Sequence, residues 1–526
     1  MTAPSLRRAL GHRTFAGLLS GGSIYFVGNA MQAMATAWLM VEISSSAVLP
    51  ALVQTAMFLP MFLFALPAGV LADTTDRRRL IVAALCVQVV LVLMMALLAG
   101  AGWLGAGGLL FFTFVTGCCA ALLSPAWNSA IVDAVPREDL PQAITALSIS
   151  FNGARALGPA AAGVVFANIG AAAVFLCTAL GVALFLRSVQ RHPPRPHPPT
   201  RLPAERLWGG MVSAVRFARH SEAVLAQLVR TVAFGAAGSA LWALLPVIGQ
   251  RQLGLGATGF GLLMACMGGG AVVAGLVIGR LRQRIGMEGV VALSGAVFAA
   301  VMLVAAWSRW AWPVYLALLF GGGAWMAVMS TFNTATQSSA PPWVRARANA
   351  MHVMAALGAF AGGSALWGLL AEALGLQATL SLAALAMLAG LLLARLFPLR
   401  MGELQEVTQA SPISQDFFVL HQPEPEAGPV AVEIAYRVRG EAIGEFLQAV
   451  AALRAPRRRD GATFWRVYRD LGDPARFVER FIVTSWADYL HQRARATLAD
   501  QELEAGLRAY LQAGTEPVTQ HYIAER

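Results

Sequence analysis

Long, nearly uninterrupted apolar runs alternate with short polar connections over the first four hundred residues. Each run has about the length of a helix that crosses a bilayer, for which about 20 apolar residues cover ~30 Å of hydrocarbon. Twelve such runs are predicted, at residues 15–41, 48–72, 80–100, 109–132, 142–167, 171–187, 223–249, 258–279, 289–307, 312–336, 348–371 and 378–397. They form two groups of six on either side of a Pro-rich stretch, 192–203, which reads as an extended linker. Just after it, Leu207, Trp208, Met211, Val212 and Val215 make an apolar stripe beside Arg206, Arg216 and Arg219. That pattern predicts a helix lying on the membrane surface. The first run is too long for a cleavable signal and reads as a retained span.

After Pro398 no run is long enough to cross, and the period changes. Residues 429–438 alternate like a strand, 440–453 carry helical apolar spacing, and 462–468 and 477–484 read as strands. Helices are predicted at 486–498 and 500–511, and a last strand at 518–523. The order β-α-β-β-α-(α)-β predicts a ferredoxin-like split βαβ domain of about a hundred residues. The expected fold is therefore membrane all-α, with twelve transmembrane helices in two six-helix repeats, plus a C-terminal ferredoxin-like α+β soluble domain. Domain boundaries follow at 1–190, 191–220, 221–402, 403–428 and 429–526.

Charge fixes orientation. The chain is 57% hydrophobic and 13% charged, and all 39 of its Lys and Arg residues are arginine. Up to Arg400 there are 25 Arg against 10 acids, a balance of +15; beyond it 14 Arg meet 18 acids, a balance of −4. The arginines outside the spans fall at alternate span boundaries, with only Arg251 and Arg309 on the opposite side. By the positive-inside rule both termini and the tail are cytoplasmic, and the basic excess reflects topology in a cytoplasmic membrane rather than nucleic-acid binding. The five cysteines all lie within spans, without metal-ligand spacing, and read as small packing residues.

The halves repeat. A shift of about 205 positions places Arg77 on Arg282, Arg79 on Arg284 and Asn128 on Asn333. It also places Gly158, Gly163 and Gly170 on Gly363, Gly368 and Gly375. A parallel six-plus-six repeat is the plan of carriers built from two halves about an axis normal to the membrane. The loop Gly69-x-x-x-Asp73, followed by Arg77 and Arg78, resembles the loop 2–3 motif of the major facilitator superfamily, with Thr74 where a basic residue is usual and Asp76 where glycine is. Pro125, Val135-Pro-Arg137-Glu-Asp-Leu and Arg155-Ala-Leu-Gly158-Pro159…Gly163 are similar to its exporter branch, the enterobactin-exporter-like "transmembrane secretion effectors". The tail residues Arg457-Arg-Arg-Asp-Gly461, Trp465 and Ser485-Trp486 match the same family.

The resemblance implies a secondary transporter that exports small organic molecules (drugs, siderophores or other secondary metabolites) by alternating access, with proton antiport. An importer of the same architecture, or a membrane-tethered enzyme with a monooxygenase-like tail, are the alternatives. No cofactor or metal is expected. The partners are the lipid bilayer and a small substrate, and pairing of two tails would make a homodimer.

On this reading Gly69, Asp73, Arg77, Arg78 and Asp133 form a conformational latch, with Asp73 capping a second-half helix and an arginine pairing with Asp133; otherwise they merely set topology. Gly158, Pro159 and Gly163 form an antiport-type kink, or a packing kink without bearing on direction. Tyr25, Asn29 and Gln32 share one face of the first span; with Asn128, Arg155, Arg230, Asn333 and His352 they are the candidates to line a substrate cavity. The arginines would favour an anionic substrate, although Arg155 could equally bond the kink carbonyls. For each single Asn or Gln, helix–helix hydrogen bonding is the stronger reading. Glu42, Asp133, Glu222 and Glu372 lie near span ends, so proton coupling rests on the resemblance alone. Aromatic residues and histidines of the tail, Trp465, Tyr468, Trp486, Tyr489, His491 and His521, read as core packing before a pocket.

Overall fold

The computed structural model describes residues 6–192, 215–410 and 423–525. Most of the surface helix expected near 207–215, and the 411–422 part of the second linker, lie outside the described residues. The apolar runs fold as helices with short connections: α1 (Arg13–Ile43), α2 (Val48–Thr74), α3 (Arg77–Gly100), α4 (Ala106–Asp133), α5 (Leu140–Ile169) and α6 (Ala171–Arg191). After the linker come α7 (Glu222–Val247), α8 (Ala257–Trp307), α9 (Ala311–Ser338), α10 (Arg345–Leu374) and α11 (Leu376–Leu391).

Ten helices among the described residues are long and apolar enough to cross a membrane. Two features separate this number from the twelve runs. First, α8 is one 51-residue element, bent where Gly286 leaves helical geometry (φ 71°, ψ 175°). The arginines Arg280, Arg282 and Arg284 therefore sit near the end of a helical stretch that runs on to Gly286, whereas their counterparts Arg77 and Arg79 open α3. Second, α5 has 30 residues, but Gln142, Asn152 and Arg155 dilute its apolar character, and it falls outside the ten.

Two compact units divide the described chain. The first holds 1–201, 229–332 and 353–396; the second holds 202–228, 333–352 and 397–526. In the first unit, α1 packs on α5 and α6, α2 on α4, and α3 on α4 and α6. Phe15, Leu18, Tyr25, Trp127 and Phe185 form its buried centre. The repeat is visible in backbone conformation. Gly170 (φ 102°) and Gly375 (φ 82°), 205 positions apart, both adopt the left-handed region just before the last helix of their half, where any side chain would be strained.

The two groups of helices meet along two matching seams. At the first, α5 lies on α8: a Cβ on Gly163 would meet Ala257 O at 2.7 Å, and one on Gly268 would meet Arg155 O at 2.6 Å. At the second, α10 lies on α2: a Cβ on Gly368 would meet the Ala51 Cβ at 2.5 Å, and one on Gly358 the Phe62 ring at 2.9 Å. Thr55 Oγ1 donates to Ala361 O (2.8 Å), and Phe58 packs edge-on against Phe360. These approaches run from Val48 to Phe62 on α2 and from Arg155 to Gly163 on α5, away from the Asp73 loop. Small residues let helix backbones approach to van der Waals contact, which is how helices associate in lipid.

The second unit contains the tail. Four antiparallel strands, β1 (Val430–Arg437), β2 (Phe464–Arg469), β3 (Arg476–Val483) and β4 (Val518–Ile523), are arranged β2-β3-β1-β4. Val430 faces Val483 on one side and Ile523 on the other. The helices are α12 (Ile443–Ala452), α13 (Arg454–Asp460), α14 (Trp486–Arg495) and α15 (Leu498–Gly506). Ser485 caps α14, and Thr497 with Asp500 forms a capping box on α15. Alternation along β1 and β3 supplies two small cores, one around Phe446 and Phe477 and one around Phe481, Trp486 and Tyr489. The arginine run 457–459 is helical, in α13, an element the periodicity did not predict.

Candidate functional site

Arg155 is the group that most needs an explanation. It projects from α5 beside the kink, and the centre of its guanidinium lies 5.6 Å from the centroid of the Trp242 ring on α7. Among the described residues no carboxylate pairs with it. Trp242 sits in an aromatic cluster with Trp325 (6.0 Å) and Phe360 (6.3 Å), which continues through Phe234 and Phe298. Its indole N–H is buried and finds no acceptor among the described residues. The facing side chains of α5 and α7 put a cation without a carboxylate and an unused donor side by side, next to an aromatic cluster. Trp242, Trp325 and Phe360 were not legible as site residues, because an aromatic within an apolar run carries no pattern of its own.

The other candidates are distributed differently. Tyr25 donates to Gln88 Oε1 (3.3 Å), and Gln88 in turn donates to Asn29 Oδ1 (3.1 Å). Gln32 reaches Thr116 (3.5 Å). This face of α1 is thus spent on α3 and α4. Arg230 is buried and bonds both oxygens of Glu288, at 2.6 and 2.7 Å, so its charge is already met. Glu288 was not among the acids considered from sequence, since its partner lies 58 positions away. Asn128 is exposed on α4. Asn333 accepts Gln337 and donates to Asn349 (3.0 Å), and His352 is buried; these belong to the second unit. Gly158 approaches Val27 and Ala30 of α1, while Pro159 and Gly163 lie on α8, so the kink residues all serve close packing.

The segment expected as a loop from Gly69 is helical as far as Thr74: Gly69 and Asp73 lie in the last turns of α2 and Asp133 ends α4, with their side chains outside the described set. The acid seen at work there is Asp76, whose Oδ1 accepts Arg78 N (2.8 Å) and Arg79 N (3.2 Å) and caps α3. The Arg78 side chain donates to Gln190 O (3.4 Å), and Arg77 also has a partner. Nearby, Asp139 is buried against Arg8 (3.2 Å) and His12 (2.9 Å).

The opposite end of α2 carries a contact that sequence reasoning missed. Glu372 Oε2 accepts Ala47 N at 2.7 Å and Ser46 Oγ at 3.1 Å, so a carboxylate of α10 sits at the N-terminus of α2. Arg251 donates to Ser44 O and Ser46 O, each at 3.2 Å. Glu372 and Arg251 together tie the second group of helices to the α1–α2 connection.

In the tail, Arg457 bonds Glu479 (3.0 Å) and Glu504 (2.6 Å) and lies over Phe481. Burial works against its charge, but the two glutamates prevail and raise its pKa. Burial, aided by Arg493, lowers that of His521, which bonds Tyr489 OH at 2.7 Å. No cluster of metal-ligating groups is present among the described residues.

The family described as "transmembrane secretion effector" matches residues 7–526. The chain belongs to that family. A Staphylococcus aureus protein named staphyloferrin A transporter is 24% identical over 287 residues, covering 54% of this chain and 71% of that one. The fold is shared with the nucleoside transporter NupG (TM-score 0.59, 13% identity, 74% of this chain and all of that one). It is also shared with a bacterial homolog of the lysosomal transporter Spinster, in an inward-facing, unoccupied conformation (TM-score 0.56, 14% identity, 73% and 95%). This member of the transmembrane secretion effector family is a multi-pass membrane transporter of the major facilitator type.

Proposed function

We propose that the chain is a twelve-span exporter of carboxylate-bearing small organic molecules, of the siderophore or secondary-metabolite class, working by alternating access with proton antiport. The unpaired Arg155 beside the Trp242 ring and its free N–H carries this reading. The kinship to a protein named for staphyloferrin A points the same way. Counting α8 as two spans about Gly286, and adding α5, brings the ten apolar helices to twelve. The Asp73 loop, both termini and the tail are cytoplasmic on this account. The Glu372 end is then the outer one, and the seams close it as in an inward-facing carrier. The latch role for Gly69, Asp73, Arg77, Arg78 and Asp133 remains part of the proposal, as does a direction-setting role for the Gly158–Pro159 kink. Glu372 is the carboxylate whose protonation would weaken the outer closure, because a neutral carboxyl gives up its charge-assisted bonds to Ala47 and Ser46. The tail is ferredoxin-like, supported by its β2-β3-β1-β4 order, and pairs with a second tail through its exposed β4 edge.

Everted vesicles test this. Uptake of a carboxylate siderophore that collapses with the proton gradient, and that a cationic dye such as ethidium does not compete with, supports the reading. Transport of ethidium with no carboxylate transport overturns it.

A further inference from the structure

The tail holds a partly open cavity of about 230 Å³. Its apolar wall comes from Val432 and Ile434 of β1, Phe481 of β3 and Leu490 of α14. Its charged lining is met largely from within: Arg457 pairs with Glu479 and Glu504, Asp460 and Asp500 pair with Arg459, and Arg493, which also lines it, has a contact of its own. One polar side chain on the wall is incompletely used. Gln492 is 5% exposed and donates to Arg457 O (3.3 Å), while its Oε1 is a buried acceptor with no partner among the described residues. A buried acceptor left unmet is costly, so a group that supplies a donor there is favoured.

The cavity wall is also the surface by which the tail grips the helix ends in its own unit. Arg495 donates to Asp460 O (3.1 Å) and lies 4.5 Å over the ring of Trp343, in the connection between α9 and α10. Arg216 donates to Gly461 O (2.9 Å), next to cavity-lining Asp460. Trp343 packs edge-on against Phe217, beside Ala340, Val344 and Ala348. The α13–α14 wall is thus in contact with the connection that leads into α10.

We infer that the tail cavity is a binding site for a neutral amphipathic small molecule, with an apolar body and one hydroxyl or amine donor to Gln492 Oε1. Its occupancy is felt at the Trp343 connection, so the tail acts as a sensor on the transporter. This does not depend on which substrate is carried.

The test uses the full chain in lipid nanodiscs, with 4-propylphenol as probe and 4-propylanisole, which lacks the donor, as its control. Ligand-observed NMR is expected to show saturable binding of the phenol. Gln492→Met weakens that binding about tenfold, as loss of one hydrogen bond predicts. Ala496→Phe, which fills the cavity, abolishes it. The anisole binds wild type no better than it binds Gln492→Met, a comparison that stands even if Ala496→Phe fails to fold. Hydrogen exchange at residues 339–348 slows with the phenol in wild type only. Absence of saturable phenol binding, or binding indifferent to both variants, overturns the site. Binding that leaves exchange at 339–348 unchanged overturns the coupling.

Discussion

The two ends of α2 are held in unlike ways. At its start, the contacts cross between the repeats: Glu372 of α10 holds Ala47 and Ser46, and Arg251 holds two carbonyls of the same turn. At its far end, the described contacts stay within the first repeat: Asp76 caps α3, and Arg78 reaches the end of α6. One end is tied across the two repeats by a few charges; at the other, the bonds of Asp76 and Arg78 are local. On the proposed function, Glu372 is the carboxylate that holds the outer end closed.

The largest expected effect lies between these ends. Arg155→Ala should lower transport of an anionic substrate by about 10–100-fold, as loss of a charge-assisted bond predicts, with surface expression retained. Full activity in everted vesicles would remove the Arg155–Trp242 pair as the substrate site. Next, Glu372→Gln should raise the outward-open population several-fold and flatten its dependence on pH, read by labelling an introduced cysteine from outside. Arg251→Ala should act in the same direction but more weakly, since its bonds are to neutral carbonyls. The smallest effect belongs to the loop end. Asp76→Ala should cost about 1 kcal/mol or less through loss of the cap on α3, visible as a slightly lower melting temperature with no change in labelling. A population shift from Asp76→Ala as large as that from Glu372→Gln would dissolve the contrast.

The spans were legible because the signal is local: an apolar run of sufficient length must be a helix, since lipid leaves its backbone no other partner. The tail strands were legible for a similar reason, from alternation at Val430, Val432 and Ile434. The repeat was read through scarce residues, and two glycines that it aligns, Gly170 and Gly375, share a positive φ. The site was less so. Pairings such as Arg230 with Glu288, or Glu372 with Ala47, join residues far apart in sequence, and no spacing rule announces them. Tyr25, Asn29 and Gln32 do share a face, but periodicity cannot say whether that face meets a cavity or a neighbouring helix. Helix α13 was missed because its arginines have no apolar stripe; it is held by Glu479, Glu504 and Asp500 instead.

The most direct test of alternating access about this closed end is a distance. Spin labels at Ser45 and Leu374, both exposed beside the Glu372 contact, report whether it opens. The account predicts one short distance at rest, and a second, longer population during turnover and in Glu372→Gln. A single unchanged distance under all three conditions would contradict it.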